Sequence, residues 1–143
     1  MWVKDGTVIS FFEITRDPVR QVLRLDGQAY RSDGTHGGVW YSVMVRTDPL
    51  RGLLEYLWVG EHCMDADTRH GYGQMSFNET TAAGAPFERG KGHYWDVDEK
   101  QPANTCKRAL QLRRVATAHD LKTMRSGTLA ARGELARQMH DGW

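Results

Sequence analysis

Apolar positions along this chain recur mostly at every second residue, the period of a strand with one buried face. Residues 7–15 are rich in β-branched and aromatic side chains and stop at Asp17-Pro18, where proline interrupts a ladder, so they read as a first strand. In residues 22–30, Leu23, Leu25 and Ala29 alternate with Arg24, Asp26 and Gln28, and Gly27 on the apolar face predicts a bulge or bend. Ser32-Asp33-Gly34 then carries the Asp-Gly step of a hairpin turn. Over residues 38–47, Val39, Tyr41, Val43 and Val45 fall on one side and Trp40, Ser42, Met44 and Arg46 on the other, so both faces carry bulk. Asp48-Pro49 makes the next turn. Residues 52–60, with Glu55 as their single charge, read as a central strand covered on both sides.

Residues 61–69 read as a polar loop, and residues 71–77 resume a strand through Tyr72, Met75 and Phe77. A connection over residues 80–86 leads to a strand over residues 87–97, through Gly90-Lys91-Gly92-His93-Tyr94-Trp95. Residues 98–105 read as a polar loop around Pro102. Residues 106–115 form the last strand, with Arg108, Leu110, Leu112 and Arg114 sharing one face. Strands spaced this closely, with no helices between them, imply an all-β-dominated fold with antiparallel pairing. The expected architecture is a closed β-barrel of about seven to eight strands with a short helical C-terminal tail. Bulk on both faces of the strands centred on Trp40 and Trp58 favours a barrel with contents or a docked tail over an open sheet.

Beyond Val115 the period changes. Thr117 followed by Asp120 gives a capping-box-like helix start and Gly127 a stop. Thr128 caps a second helix whose Leu129, Leu135, Ala136 and Met139 lie at helical spacing before Gly142 ends it. Gly133 weakens that helix by about 1 kcal/mol relative to alanine, so the tail needs a surface to pack on. The division is a barrel over residues 1–115 and a tail over 116–143, packed on the barrel or on a partner.

At 143 residues, 40% of them hydrophobic and 26% charged, the chain is sized and composed as one ordinary globular domain. Nineteen basic against 18 acidic residues give a net charge of +1, which supplies no general attraction to long nucleic acid or anionic lipid. A phosphate would have to meet a local cluster. The apolar stretches at 39–45 and 53–59 are too short to span a bilayer as helices, and residues 1–5 have neither the basic nor the apolar region of a secretory signal. The expected location is the cytoplasm, either as a soluble chain or as the soluble part of a longer chain tethered to the inner membrane. Cys63 and Cys106 are expected as reduced thiols, and Asn78-Glu79-Thr80 is a chance match to the glycosylation pattern.

His62, Cys63, Asp65, Asp67 and His70 crowd one predicted loop, but their spacing fits neither a zinc nor a calcium pattern. A solvated loop is the simpler reading, and no metal or cofactor is assigned. His93 lies near Asp96, and Ser42, Ser76 or Cys106 are conceivable nucleophiles, yet no nucleophile elbow or cysteine-protease signature surrounds any of them. Alternation also sets His93 and Asp96 on opposite faces. Gly71-Tyr72-Gly73 and Gly90-Lys91-Gly92 each sit within a strand beside aromatics, where glycine marks curvature or close approach of a ligand. Neither is a phosphate loop.

Aromatic and cationic residues recur together: Trp40 and Tyr41 near Arg46, Tyr56 with Trp58, and Lys91 with His93, Tyr94 and Trp95. Stacking platforms beside cations suit a nucleotide-like ligand, because rings stack on bases while Arg or Lys engages phosphate. The plainer alternative is that these rings fill a core. The leading functional expectation is a non-enzymatic sensor in which Tyr41, Tyr56, Trp58 and Trp95 stack on a nucleotide-like second messenger and Arg46, Lys91 and Arg108 contact phosphate. One alternative is a protein-interaction module using the C-terminal helices or a sheet edge. Another is a small hydrolase or isomerase using His93, Asp96 or the loop around His62. A homo-oligomer is compatible with each.

The succession of Leu-Asp-Gly-Gln-Ala-Tyr at 25–30, Gly-Val-Trp-Tyr-Ser at 38–42, Leu-Glu-Tyr-Leu-Trp at 54–58, Gly-Tyr-Gly at 71–73 and Gly-Lys-Gly-His-Tyr-Trp-Asp at 90–96 is similar to a lipocalin-like barrel. More narrowly, over residues 7–115 it resembles the soluble β-barrel sensor domains of bacterial antiphage effectors, which carry two upstream transmembrane helices and respond to cyclic nucleotides. That resemblance implies a cyclic oligonucleotide bound in or across the barrel, with membrane contact only through a segment absent from this chain. The chain differs in having no such helices and in adding the tail after Val115. No ligand residues are carried over from that family.

Overall fold

The computed structural model describes residues 2–4, 8–63, 66–79, 89–98, 101–115 and 117–142, with 2–4, 62–63, 66–68, 78–79, 98 and 101–106 as backbone only. Alternating sequence becomes eight strands in chain order: β1 (Trp2–Lys4), β2 (Val8–Arg16), β3 (Leu23–Arg31), β4 (His36–Asp48), β5 (Leu53–Cys63), β6 (Ala66–Glu79), β7 (Arg89–Asp98) and β8 (Gln101–Arg113). Each pairs antiparallel with the next. The helices follow as α1 (Ala118–Ser126) and α2 (Leu129–Asp141).

The ring of pairings is completed by β1, which lies between β2 and β8. It gives only three residue pairs to each neighbour, from Trp2↔Arg113 to Lys4↔Gln111 on the β8 side. Among the described residues, 12–16 of β2 and 101–110 of β8 have no strand across that seam. Over most of its height the sheet is therefore an open half-barrel of seven long strands, and the expected closure is confined to this short bridge.

Aspartates set the hairpins. Asp17 accepts the Val19 and Arg20 N–H groups at 2.8 Å each, and those bonds hold its carboxyl below the usual carboxylate range. Between β3 and β4, Asp33 accepts the Thr35 N–H at 2.8 Å and Gly34 takes φ +87°. The helix ends follow the sequence signals, with Thr117 Oγ1 accepting Asp120 N–H at 3.0 Å and Thr128 Oγ1 accepting Ala131 N–H at 3.2 Å.

Three stretches differ from the sequence reading. The polar loop expected over 61–69 is mostly strand: β5 reaches Cys63, β6 starts at Ala66, and the two pair through Cys63↔Ala66. A ladder is made of backbone groups, so polar side chains at its far end do not stop it. For the same reason β8 starts at Gln101, inside the expected loop at 98–105. The third is β4, whose pairing shifts between Ser42 and Met44. This bulge leaves Val43 59% exposed and reverses the faces after it, so Val45 joins Trp40 against the interior while Met44 and Arg46 point outward with Tyr41. The connection at 80–86 and Phe87 lie outside the described residues.

Two apolar cores lie on opposite sides of the sheet. The lumen is filled by Phe12, Leu25, Leu54, Tyr56, Met75, Leu110 and Leu112. On the outer face Ile9, Phe11 and Tyr30 pack with Val115, Leu135 and Ala136, and with Leu121, Met124 and Met139 beside them. Alternation along β2 thus sends Phe12 inward and Phe11 out to the tail, which docks on this chain's own barrel. Arg132 fastens it by donating from Nη1 to Gln28 Oε1 at 2.6 Å, and Arg125 pairs with Glu13. Gly133 sits against Gly34 so closely that a Cβ on either would meet the other's carbonyl oxygen. Among the described residues, no helix is long and apolar enough to cross a membrane.

Candidate functional site

Glycines opposite aromatic residues shape the interior. In the strand register Trp40 pairs with Gly27, Tyr56 with Gly73 and Trp58 with Gly71. Each ring occupies the space that a side chain on its glycine partner would take. The Gly-Tyr-Gly segment is thus explained by ring packing: it lets Tyr56 and Trp58 lie along the wall instead of blocking the lumen. Phe12 and Tyr56 flank the Trp40 ring at centroid distances of 5.6 and 6.0 Å, and Trp58 meets Tyr94 edge-on at 6.1 Å.

Of these rings, Trp40, Tyr56, Trp58 and Tyr94 border a cavity of about 190 Å³ at the barrel end that carries the β3–β4 and β5–β6 turns. Ser10, Arg31, Trp40, Trp58, Arg69 and Asp96 are among its lining residues. Arg69 Nη1 donates to Asp96 Oδ2 at 3.0 Å, with only 25% and 12% of the two side chains exposed. The ion pair uses one nitrogen and one oxygen. Among the described residues, Arg69 Nε, Asp96 Oδ1 and Trp58 Nε1 are buried without a protein hydrogen-bond partner. A buried polar atom left in that state costs about 1–3 kcal/mol, and none of the three presents appreciable surface to the cavity.

Burial pushes the Tyr56 hydroxyl well above the ordinary tyrosine range, so it stays protonated in this wall. Trp40 Nε1 donates to Ser10 Oγ at 3.4 Å, and Ser42 Oγ accepts the buried Leu25 N–H at 2.9 Å. Ser42, a conceivable nucleophile in the sequence, is thereby spent on the backbone. His93 is exposed on the outer face, 6.5 Å from the Trp95 ring, while Asp96 faces inward to Arg69. The two do not meet. His62, Cys63 and Asp67 are described as backbone only, as is Cys106, and Asp65 lies outside the described residues.

The seven residues expected to bind ligand separate onto two faces. Tyr56 and Trp58 line the cavity, and Arg108 alternates with the buried Leu110 and Leu112 on the lumenal side of β8. Tyr41, Arg46, Lys91 and Trp95 lie on the outer face of the sheet. There the register aligns Met44, Leu57, Tyr72, Trp95 and Lys107 in one row across five strands. Lys107 Nζ stands 5.1 Å from the Trp95 ring and Tyr72 packs 5.2 Å from it. Burial and the hydrogen bond it donates to Glu55 at 2.6 Å push the Tyr72 hydroxyl up to about 12. No single pocket unites the seven.

Comparison with family models, curated proteins and solved structures gives no match. The choice of site rests on geometry. A larger hollow of about 430 Å³ lies between the tail and the outer face of β2–β4, but its charges are engaged: Arg125 with Glu13, Arg132 with Gln28, and Asp26 with Arg24 at 2.7 Å. The lumenal cavity, walled by Trp40, Tyr56, Trp58 and Tyr94 and edged by the Arg69–Asp96 pair, is the stronger candidate. Sequence reasoning missed Arg69 as a member of it. The available signal was alternation itself: Arg69 is two residues before Gly71 and shares its face once β6 is extended backward.

Proposed function

We propose that this chain is a non-enzymatic ligand-binding module whose lumen receives one small planar group, with ligand occupancy as the signal it reports. The observation that carries this reading is a cavity of about 190 Å³ walled by Trp40, Tyr56, Trp58 and Tyr94 and edged by the largely buried Arg69–Asp96 pair. The volume decides how much ligand enters. An apolar cavity of about 150 Å³ holds a benzene ring, so 190 Å³ takes a single ring and not an entire cyclic oligonucleotide.

A nucleotide-like second messenger fits this reading through its base alone, with sugar and phosphate left at the mouth, where Arg31 lines the cavity. Arg46 and Lys91, on the outer face, have no part in that contact. A role in bacterial antiphage defence is the context that the sequence resemblance suggests for such a module. The tail, spent on the barrel's own outer face, makes docking of a partner by its apolar side the weaker reading.

Calorimetry against a panel of free bases and of linear and cyclic nucleotides tests the proposal. Binding by at least one member is expected, lost in Trp58→Ala and retained in Trp95→Ala. Absence of binding across the panel, or dependence on Trp95 and not on Trp58, would overturn it.

A further inference from the structure

The outer face of β4–β8 carries opposite charge on its two sides, with an apolar band running across both. On β4 and β5 the outward carboxylates of Asp48, Glu55 and Glu61 outweigh Arg46. On β7 and β8 the outward residues include Arg89, Lys91, Lys107 and Arg113, with no acidic residue among the described side chains on that side. Between them β6 presents Tyr72, Gln74 and Ser76, all uncharged. The band is the row from Met44 through Leu57 and Tyr72 to Trp95, in which Met44 is 57% and Leu57 38% exposed. Apolar side chains left contiguous on a surface mark a contact site, and the charge pattern selects what covers this one.

We propose that this face is a two-fold interface between two copies of the chain, with the axis along β6. A half-turn about that axis lays the acidic side of one copy on the basic side of the other and keeps every residue at its height along the strands. By the register, Leu57 then meets the second copy's Trp95, Val59 meets its Val97, Glu55 faces its His93, and Tyr72 meets its own equivalent. Stacked sheets lie about 10 Å apart with their strands within about 30° of each other. The apolar residues of β5–β7 are in contact at that spacing, and the long charged side chains span the flanks, where two outward-curving sheets separate. The face measures roughly 20 Å by 20 Å, which is small for a specific interface, so the dimer exchanges with monomer. A net charge of +1 puts little repulsion between copies. The lumenal reading is not needed for any of this.

Sedimentation equilibrium of the full chain is expected to show monomer and dimer in exchange, with the dimer weakening as salt is raised. Leu57→Arg, at an exposed position that would face the basic flank, is expected to weaken dimerisation about tenfold or more with the melting temperature unchanged. Cross-linking locates the axis. In a Cys63→Ser, Cys106→Ser background, Gln74→Cys on β6 lies beside its own equivalent and is expected to give a disulfide-linked dimer on mild oxidation. Gln111→Cys on β8 lies four strand spacings, about 19 Å, from its equivalent and is expected to give none. A monomer at every concentration, a dimer that Leu57→Arg leaves intact, or cross-linking at Gln111 in preference to Gln74 would overturn the proposal. A monomer that binds a single-stranded oligonucleotide through Trp95 would overturn it too and give the face to nucleic acid.

Discussion

Replacing Gly133 by alanine sets two effects against each other. In the middle of an isolated helix the change is worth about 1 kcal/mol in favour of folding, because glycine loses more backbone freedom. Here α2 lies against the β3–β4 turn, and the added methyl would overlap the carbonyl oxygen of Gly34. That oxygen belongs to backbone held by the Asp33 turn and cannot rotate away like a side chain. Overpacking of this kind costs about 1–3 kcal/mol. The net expectation is a loss near 1 kcal/mol, which at the usual denaturant dependence of a domain this size lowers the urea midpoint by about 0.5 M. Ala130→Gly, at an exposed site in the first turn of the same helix, is the control and is expected to lose less than the roughly 1 kcal/mol of a helix-interior position. Gly34→Ala is expected to be worse than Gly133→Ala, since φ +87° adds backbone strain to the same clash. Urea melts followed by circular dichroism read all three. A rise in the midpoint for Gly133→Ala would refute the close seating of α2 on this turn.

Burial first, and the Arg132 charge second, hold His36 below the ordinary histidine range, beside Tyr30. The folded state therefore prefers neutral imidazole. Its contribution is complete above about pH 6.5 and is lost as pH falls through that value toward the depressed folded one; in urea midpoints taken between pH 5 and 8, His36→Gln is expected to flatten part of the slope. Gly71→Ala is expected to cost at least about 2 kcal/mol by thermal melt, because its methyl would meet both the Trp58 indole and the Trp95 carbonyl; an unchanged melting temperature would contradict the ring-over-glycine packing. Asp96→Leu alone should cost about 3 kcal/mol by leaving the Arg69 charge without its carboxylate in the lumen. The double variant Arg69→Leu, Asp96→Leu should recover most of that loss, a pattern that a surface pair would not show.

The strands were legible because one face of each is apolar, and both helices because Thr117, Gly127, Thr128 and Gly142 punctuate them. What the sequence could not reveal follows from geometry that local pattern does not encode. Val43 looks like any alternating valine, yet its bulge reverses the faces of half of β4 and moves Arg46 away from the lumen. Cations and aromatics adjacent in sequence, such as Lys91, Tyr94 and Trp95, necessarily divide between faces of a strand, so proximity along the chain overstated their convergence. Gly71 and Gly73 were visible as unusual, but their use as seats for Trp58 and Tyr56 depends on a cross-strand register fixed only on folding. The short seam made by β1 likewise depends on how many residues pair across it, which alternation alone does not set.

The central claim is that the lumen beside Trp58 is the ligand site, and it can be read at that residue's own indole N–H. In a two-dimensional proton–nitrogen titration with the tightest-binding member of the base and nucleotide panel, the Trp58 Nε1–H resonance is predicted to shift and saturate as a ring enters beside the indole. The Trp95 resonance, on the outer face, should remain in place. A Trp58 signal that stays still at saturating ligand, or one that moves no more than Trp95, would contradict the account.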